Sequence, residues 1–250
     1  MTADPSESLL ILVCTFNERG NLPSLFERIY QVVPSAKILV VDDNSPDGTS
    51  QWVIEHQQSH PNVSLIRRAG KLGLGTAIRD GMQFAIDHNY QWLLNLDADL
   101  SHDPSSIPAL LAASANHDVV IGSRYVVGGG MQGCSWRRVF VSRCANAYAR
   151  RIIGWKVRDC SSAFRLYRVS MLRTIHLNEL RGTGYGFLEE VLWHLLNVGS
   201  RLEEVGILYT ERRTGKSKIS IKEALSTIRS IHNVARLQLK RTKLSMHEES

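Results

Sequence analysis

The chain has 250 residues, of which 43% are hydrophobic and 22% are charged. This composition excludes a disordered chain and is sufficient for one compact domain with a large apolar core. The formal net charge of +6 predicts attraction to polyanions. Charge alone leaves nucleic acid, an anionic membrane surface and a phosphorylated substrate open as partners.

The four cysteines show no CxxC spacing and no secretory leader is evident, so we expect neither a zinc site nor a disulfide framework. A reducing cytosol is the expected environment. No apolar run reaches the roughly 18 to 20 residues that cross a bilayer. Any membrane contact is therefore expected to be peripheral, on the cytoplasmic face.

Short apolar runs alternate with segments of helical periodicity through the first half of the chain. Buried parallel strands are predicted at residues 9–14, 38–42, 63–66, 92–96 and 119–121. Helices are predicted at residues 22–33, 49–56, 76–88 and 104–115. Such alternation predicts a doubly wound α/β sheet, whose ligand crevice lies beyond the carboxyl ends of the strands.

The second half of the chain is less regular. A Gly-rich loop is predicted at residues 128–130, an Arg-rich helix at 137–153 and a strand at 163–167. No linker or internal repeat separates the two halves, so residues 1–250 are predicted to form a single domain.

Two carboxylates, Asp97 and Asp99, leave the end of the fourth predicted strand together. Like charges so close repel each other unless a cation joins them. A hard divalent ion, Mg²⁺ or Mn²⁺, would do so while bridging a substrate diphosphate. The alternative is a helix-capping loop, because Asp103 followed by Pro104 is typical of a helix start.

Two further polar segments follow strands. In residues 42–49, Asp-Asp-Asn-Ser-Pro-Asp-Gly-Thr, the Pro, Asp and Gly predict a turn, and Asp47 or Thr49 is a candidate cap for the next helix. A turn leaves the acidic pair at the strand end unexplained. Asp42 is therefore predicted to accept hydrogen bonds from ribose hydroxyls or base N–H groups. The segment that begins at residues 71–76 does not match the glycine pattern of a dinucleotide-binding loop, because Ile78 stands at the position of the third glycine. A close-packed turn is predicted there instead, with Lys71 near phosphate.

An ordered set of motifs resembles the dolichol-phosphate mannosyltransferase branch of the family 2 glycosyltransferases over nearly the whole chain. The motifs are Thr-Phe-Asn-Glu at 15–18, the acidic segment at 42–49, Gly-Leu-Gly at 73–75, Asp-Ala-Asp-Leu at 97–100, Gly-Ser-Arg-Tyr at 122–125 and Arg-Arg-Thr-Gly-Lys-Ser-Lys at 212–218. Their order and spacing together make chance agreement improbable.

The resemblance implies a GT-A fold, with a Rossmann-like, mostly parallel central sheet. It implies a nucleotide-sugar donor, GDP-mannose in the mannosyl branch, a polyprenyl or dolichyl phosphate acceptor, Mg²⁺ or Mn²⁺, and inversion at the anomeric carbon. On this basis residues of about 8–125 form a nucleotide-sugar half and residues of about 126–220 an acceptor half.

The resemblance also assigns residues by motif. The donor-binding residues it implies are Thr15, Phe16, Glu18, Asp42, Lys71 and Asp97. Asp97 and Asp99 would hold the metal, with Ser101 where many members have Gln. The residues implied to bind the acceptor phosphate are Arg124, Arg138, Ser142 and Lys218. The implied catalytic residues are Asp99, Arg124 and Arg212. The chain departs from the family in Cys14-Thr15-Phe16, where Pro-Thr-Tyr is common, and in residues 187–190, where Glu190 is kept and a Gln is lost.

A phosphate acceptor needs cations rather than a general base, because its second pKa of about 6 leaves the attacking oxygen anionic at neutral pH. Arginine suits this task through its bidentate fork. No matching excess of carboxylates is expected near the cationic residues of the second half, which are Arg124, Arg137, Arg138, Arg143, Arg165, Arg212 and Lys218. For Arg137 and Arg143 a solvated basic face is an equal alternative.

Residues 220–241 predict an amphipathic basic helix, with an apolar stripe at Ile221, Leu225, Ile228, Ile231 and Ala235. Core packing is the favoured use of its apolar face, with membrane contact left to its basic end and to a membrane-anchoring partner subunit.

Competing classes are weaker. A nucleotidyltransferase would carry a Gly-rich phosphate loop after the first strand, and a nucleic-acid-binding module would interleave basic with aromatic residues. Nucleic acid is therefore not an expected partner. A polyprenyl-phosphate hexosyltransferase that uses UDP-glucose or UDP-GlcNAc is the closest rival.

Overall fold

The computed structural model describes residues 8–211, 232 and 234–236 of the chain. Within these residues the strands are β1 (Leu9–Thr15), β2 (Lys37–Asp42), β3 (Val63–Arg67), β4 (Trp92–Asp97), β5 (Val119–Ser123), β6 (Gly130–Gln132), β7 (Arg165–Arg168), β8 (Leu202–Gly206) and β9 (Leu208–Thr210). The α-helices are α1 (Leu22–Val32), α2 (Thr49–Gln57), α3 (Leu74–Asp87), α4 (Ile107–Ala113), α5 (Trp136–Ile153), α6 (Val169–Leu172) and α7 (Gly186–Asn197).

Among the described residues, seven strands form the central sheet in the order β3-β2-β1-β4-β7-β5-β8. All neighbouring strands pair in parallel except β7, which is antiparallel to β4 and β5. The strands predicted in the first half are confirmed, and the strand predicted at 163–167 is the antiparallel β7. Because β1 lies between β2 and β4, strand order reverses there and opens a crevice at the carboxyl ends of β1 and β4.

Alternate side chains of the central strands enter two apolar cores, one on each face of the sheet. In β1, Leu10 and Leu12 join one core, whereas Leu9, Ile11 and Val13 join the other. Helices α3, α5, α6 and α7 cover the first core, and α1, α2 and α4 cover the second. Burial on both faces explains why these strands are continuous apolar runs in the sequence.

Local chemistry sets the helix boundaries. Pro23 lies in the first turn of α1, where its missing N–H costs no hydrogen bond. At the start of α5, the Ser135 hydroxyl accepts a hydrogen bond from the backbone N–H of Arg138. Gly154 ends α5 in the left-handed conformation, with φ 78°. The Arg-rich helix predicted at 137–153 is thereby confirmed as α5.

The predicted helix at 220–241 lies mostly outside the described residues, as do Arg212 and Lys218. Residues 232 and 234–236 of this stretch are helical, and Val234 is buried in the core that α5 and α7 cover. This contact favours core packing for that side of the helix. In the part of the chain that the structure describes, no helix is long and apolar enough to cross a membrane.

The end of β8 packs backbone to backbone against the loop that follows β5. A Cβ atom at Gly206 would collide with the backbone of Val127, Gly128 and Gly129. We therefore expect Gly206→Ala to lower the free energy of unfolding by about 1–3 kcal/mol, because backbone cannot move aside easily. Gly20→Ala is the matched control, since a Cβ there has nothing within 4 Å. Urea denaturation measures both variants, and equal stability would contradict the prediction.

Candidate active site

The first cluster lies where β1 and β2 end side by side, with Thr15 opposite Asp42. The Asp42 side chain is fully buried and accepts hydrogen bonds from the Thr15 hydroxyl at 2.8 Å and the Ser50 hydroxyl at 2.6 Å. It also accepts from the Ser45 N–H at 2.9 Å and the Ser45 hydroxyl at 2.5 Å. An ionised carboxylate has about four acceptor positions, so all of them are in use. To contact a nucleoside directly, Asp42 would have to release one of these internal bonds.

Phe16 and Lys71 contact each other from two loops at the same edge of the sheet. The Lys71 Nζ atom lies 3.8 Å from the centroid of the Phe16 ring, which is a cation–π distance. The structure thus brings together two predicted donor-binding residues from the loops after β1 and β3. Glu18, in the same loop as Phe16, accepts a hydrogen bond from Asn21 Nδ2 at 2.6 Å and is tied to the start of α1.

A buried ion pair that was not predicted from the sequence holds the Lys71 loop. The Arg68 guanidinium lies 2.6 Å from one carboxylate oxygen of Asp43, and the Gly73 N–H donates to the other at 2.8 Å. Both side chains of the pair are buried, and the Nε atom of Arg68 also lies 3.3 Å from the Asp80 carboxylate. The acidic pair at residues 42 and 43 was the available signal: Asp42 organises the loop after β2, and Asp43 organises the loop after β3.

Asp97 and Asp99 lie in the turn that follows β4. Leu100 adopts the left-handed conformation, with φ 61°, which is rare for a leucine. This conformation lets the backbone N–H of Ser101 donate to the Asp99 carboxylate at 2.9 Å. The Asp103 side chain caps the 3-10 turn Pro104–Ser106 that precedes α4. The capping alternative therefore holds for Asp103, and the two carboxylates lie upstream of that cap.

Two side chains without a predicted role lie next to Asp97. The Tyr185 hydroxyl lies 3.5 Å from Asp97 Oδ2, and His102 Nδ1 lies 3.8 Å from the same oxygen. The loop that carries Tyr185 is held by Glu190, whose carboxylate accepts a hydrogen bond from the Gly182 N–H at 2.6 Å. The sequence signal was the retained Glu190, but its contact with this loop required the fold.

The chemistry of the carboxylate turn fits a divalent cation. Asp99 and Ser101 are buried, and their side chains present oxygen atoms, which are the ligands that a hard divalent cation prefers. Mg²⁺ is usually held by one or two carboxylates, while substrate phosphates and waters supply its other ligands. In residues 8–211, no group of three His, Cys, Asp or Glu side chains is placed to hold a metal. The turn therefore suits an ion that shares its coordination with a diphosphate.

Arg124 follows β5 and is held by a fully buried carboxylate. Its Nε lies 2.7 Å and its Nη2 2.6 Å from the two oxygens of Asp159, and Nη2 also donates to Ser161 at 2.7 Å. Burial by itself raises the pKa of Asp159, but the hydrogen bonds and charge of Arg124 outweigh this effect and hold the pKa below its ordinary value. The Arg124 Nη1 group makes no hydrogen bond within the described residues.

Tyr209 links the arginines to the carboxylate turn. The guanidinium carbons of Arg124 and Arg138 lie 5.6 and 5.8 Å from the centroid of its ring. Its backbone forms an isolated β-bridge with His102. Burial raises the pKa of Tyr209, Arg138 opposes this rise and Asp99 adds to it. The side chains predicted for metal and for acceptor phosphate therefore meet at this tyrosine.

The remaining predicted acceptor residues are only partly described. Ser142, one turn after Arg138 in α5, accepts a hydrogen bond from the Tyr125 hydroxyl at 2.6 Å. Arg212 and Lys218 lie outside the described residues.

The expectation that these cations lack nearby carboxylates is wrong for two of them, Arg124 and Arg138. Arg124 pairs with Asp159, which is 35 positions away, and Arg138 pairs with Glu211, which is 73 positions away, at 2.6 Å in each case. Arg165 is fully buried and donates to three backbone carbonyls. A buried charge requires partners, and the fold supplies them from residues distant in the sequence.

The mostly parallel sheet, with paired carboxylates beyond its central strands, has the architecture of a GT-A fold. The structure is similar to that of glucosyl-3-phosphoglycerate synthase from Mycobacterium tuberculosis in complex with phosphoglyceric acid, with a TM-score of 0.68 and 16% identity, over 93% of this chain and 82% of that chain. A complex of that synthase with Mn²⁺, uridine-diphosphate and phosphoglyceric acid gives a TM-score of 0.67, 16% identity and coverage of 93% and 81%. At this identity the likeness shows the fold alone.

Residues 10–175 match Glycosyl transferase family 2, and the chain belongs to this family. A relative from Mycolicibacterium smegmatis, "Polyprenol monophosphomannose synthase", is 39% identical over 90% of this chain and 86% of its own length. A second, "Undecaprenyl-phosphate mannosyltransferase" from Micrococcus luteus, is 37% identical over 85% of this chain and 87% of its own length. The protein is a glycosyltransferase, and the resemblance inferred from its motifs is confirmed.

The Arg124–Asp159 pair generates a stability prediction. Asp159→Asn leaves the Arg124 charge buried without its counter-ion, so we expect a loss of about 3–5 kcal/mol at neutral pH. Because the Asp159 pKa is lowered in the folded protein, its contribution is present above the unfolded pKa of about 3.9 and is lost as pH falls through the folded value. The variant should therefore lose part of the acid dependence of unfolding below about pH 4.

Urea denaturation at neutral and acid pH measures both effects. Glu27→Gln, which removes an exposed carboxylate from α1, is the matched control and should behave like the wild type. Asp159→Asn with wild-type stability at neutral pH would show that the pair is not a structural requirement.

Proposed function

We propose that this glycosyltransferase moves mannose from GDP-mannose to the phosphate of a polyprenyl or dolichyl lipid, with inversion at the anomeric carbon. Both relatives are named for mannose and a polyprenyl lipid, and each is at least 37% identical to this chain. The geometric observation that carries the proposal is that Arg124 and Arg138 flank Tyr209, beside the turn of Asp97 and Asp99. The arginines suited to the acceptor phosphate thus lie next to the carboxylates suited to a metal ion that binds the donor diphosphate.

Residues of about 8–125 are proposed to bind the donor. The residues that would face it are Thr15, Phe16, Glu18, Lys71 and Asp97. Lys71 would exchange the Phe16 ring for a diphosphate oxygen, which frees the ring face for the base. Asp42 would act through Thr15, which it positions from within the sheet edge.

A divalent cation, Mg²⁺ or Mn²⁺, would be held by Asp97, Asp99 and the Ser101 hydroxyl. When bound it supplies positive charge that stabilises the departing diphosphate. Solved neighbours of the same fold contain Mn²⁺ or Mg²⁺ together with uridine-diphosphate, which supports metal use here.

Residues of about 126–220, together with Arg124, are proposed to bind the acceptor. Asp159 and Ser161 fix the Arg124 guanidinium and leave Nη1 for a phosphate oxygen. Arg138 and Ser142 would complete this cradle, with Arg212 and Lys218 beyond the described residues.

The acceptor phosphate is its own nucleophile, because its second pKa is about 6. Its oxygen forms a bond to the anomeric carbon while the bond from that carbon to the diphosphate oxygen breaks. The electron pair leaves with the nucleoside diphosphate, and no side chain has to remove a proton. The arginines hold the attacking oxygen in line and offset the repulsion between two anionic substrates.

A peripheral position on the cytoplasmic face of a membrane is part of the proposal. Helix α5 exposes apolar side chains at intervals of one or two turns, namely Trp136, Phe140, Tyr148 and Ile152. Arginines lie among them along α5, so this face combines apolar surface with positive charge. We also propose that a membrane-anchoring partner subunit contributes to the attachment of the protein to the membrane.

The donor and metal requirements can be tested together. Labelled GDP-mannose, UDP-glucose and UDP-GlcNAc are each incubated with polyprenyl phosphate, with Mg²⁺, Mn²⁺ or a chelator. We expect lipid-linked mannose from GDP-mannose only, loss of product with chelator, and a rate at least about a hundredfold lower in Asp99→Ala, because charge on the leaving group is no longer stabilised.

Asp103→Ala is the matched control for Asp99→Ala. It removes an exposed carboxylate four positions further along, whose side chain caps the next turn, and it should retain transfer. Product from UDP-glucose or UDP-GlcNAc would assign the rival hexosyltransferase activity. Full activity of Asp99→Ala in the presence of chelator would contradict the mechanism.

The acceptor side has its own matched pair in α5. Arg138 points inward to Tyr209 and Glu211, whereas its neighbour Arg137 stacks on the exposed Trp136. We expect Arg138→Gln to raise the KM for polyprenyl phosphate about tenfold or more, since hydrogen bonds to charged groups contribute about 1.5–3 kcal/mol. Arg137→Gln should leave this KM within about twofold. Equal effects of the two substitutions would argue against an acceptor role for Arg138.

A further inference from the structure

A basic pocket lies between α5 and the loop after β5, beyond the Arg124–Asp159 pair. Its volume is about 550 Å³, and four arginines line it: Arg124, Arg143, Arg150 and Arg158. No carboxylate is among its lining residues in the described part of the chain. The pocket shares Arg124 with the cradle proposed for the acceptor phosphate, but Arg138 and Ser142 are not among its lining residues, whereas Arg143, Arg150 and Arg158 extend it away from that cradle.

Within the described residues, three of these arginines lack a counter-ion. Arg124 is neutralised by Asp159, but no carboxylate of the described residues lies within 4.0 Å of the guanidinium groups of Arg143, Arg150 or Arg158. Glu204 accepts hydrogen bonds from the backbone N–H groups of Arg158 and its neighbour, not from the Arg158 side chain.

One buried donor in the pocket also lacks an acceptor. The Nε atom of Arg150 has no hydrogen-bond partner within the described residues. A buried N–H without an acceptor is costly, and it is more so when it carries charge. Like charges collected around one space are stabilised by an anion that binds there. The pocket therefore points to an anionic ligand with oxygen acceptors.

The position of the pocket on α5 indicates the source of that anion. Arg143 and Arg150 are seven residues apart and share one face of the helix. Around the helix axis, the two arginines lie between Ser142, which faces inward, and the exposed apolar side chains of Phe140 and Tyr148. The arginines thus lie at the border between the active site and the apolar surface.

A second groove, of about 680 Å³, adjoins the basic pocket and shares Val126 and Arg158 with it. Its walls combine the apolar side chains of Trp155, Leu196 and Leu202 with the charged residues Lys156, Glu203 and Glu204. An occupant that extends from the basic pocket along the apolar wall of this groove would carry an anionic group followed by an apolar portion. A phospholipid has this chemistry, whereas a soluble phosphorylated metabolite lacks the apolar portion.

We propose that Arg143, Arg150 and Arg158 form a second anion site, which binds the phosphate headgroup of an anionic membrane phospholipid. The inference rests on the proposed function in one respect, that α5 lies against a bilayer. A headgroup bound there would hold the arginine cradle of the active site at the membrane surface, at the depth where a lipid-linked phosphate arrives.

The test uses the full chain and vesicles, without donor or acceptor. Sedimentation measures binding to phosphatidylcholine vesicles that contain a minority of phosphatidylglycerol. The variant Arg143→Gln with Arg150→Gln should bind about thirtyfold more weakly than the wild type, since each of the two arginines contributes about 1 kcal/mol near an anionic surface. Arg143→Lys with Arg150→Lys should restore most of the binding, because it returns the charge.

The matched control is Arg28→Gln with Arg173→Gln, which removes the same charge from exposed positions outside α5. A loss equal to that of the pocket variant would show that only overall charge matters and would overturn the proposal. Equally strong binding of the wild type to pure phosphatidylcholine vesicles would overturn it as well, because no anionic headgroup would then be needed.

A calorimetric titration with inorganic phosphate distinguishes the two sources of the anion. Tight phosphate binding that is lost in the pocket variant, with unchanged vesicle binding, would assign the pocket to a soluble ligand and overturn the lipid proposal. Thermal unfolding shows whether each variant is folded. If the double variant is not folded, Arg158→Gln, at an exposed position of the same pocket, replaces it in the vesicle assay. Because the vesicle assay needs no turnover, its result is independent of the outcome of the donor screen.

Discussion

The parallel pairing of β1 with β2 and β4 is the constraint on which the site depends. It places Thr15 opposite Asp42 and Cys14 opposite Asp97. Because parallel strands end at the same edge of a sheet, the loops that follow them share one crevice. The two apolar cores hold this register, since a shift of one residue would turn every buried side chain of β1 to the opposite face.

Most charges around the crevice are already paired within the protein. Asp42 is saturated by hydroxyls and a backbone N–H, Asp43 by Arg68 and a backbone N–H, and Asp159 by Arg124. These pairs fix the loops before any substrate binds, so binding free energy is not spent on ordering them. The same pairing restricts what can contact substrate: among the described residues Arg124 retains one free nitrogen, and Asp42 acts through its neighbours. A site for two anionic phosphates is thus built from a few oriented donors rather than from a diffuse excess of positive charge.

The fold class and most elements could be predicted from local patterns. Buried strands such as residues 9–14 and 92–96 are continuous apolar runs, and an Arg-rich helix at 137–153 begins at a serine cap and ends at a glycine. The antiparallel direction of β7 could not be predicted, because direction depends on how the chain returns to the sheet. The loop that brings Tyr185 to Asp97 was also beyond prediction, since its anchor Glu190 makes contacts that no local pattern records.

The sequence by itself determined the alternation of strands and helices, the family and the two carboxylates of the turn after β4, because these depend on local periodicity and short motifs. Only the tertiary structure decided which charges are neutralised. Asp159 and Glu211 reach Arg124 and Arg138 across 35 and 73 positions, while Arg143, Arg150 and Arg158 keep their charge uncompensated among the described residues. The physical reason is that an ion pair requires proximity in space, and the burial that makes it strong exists only once the sheet and its helices have packed.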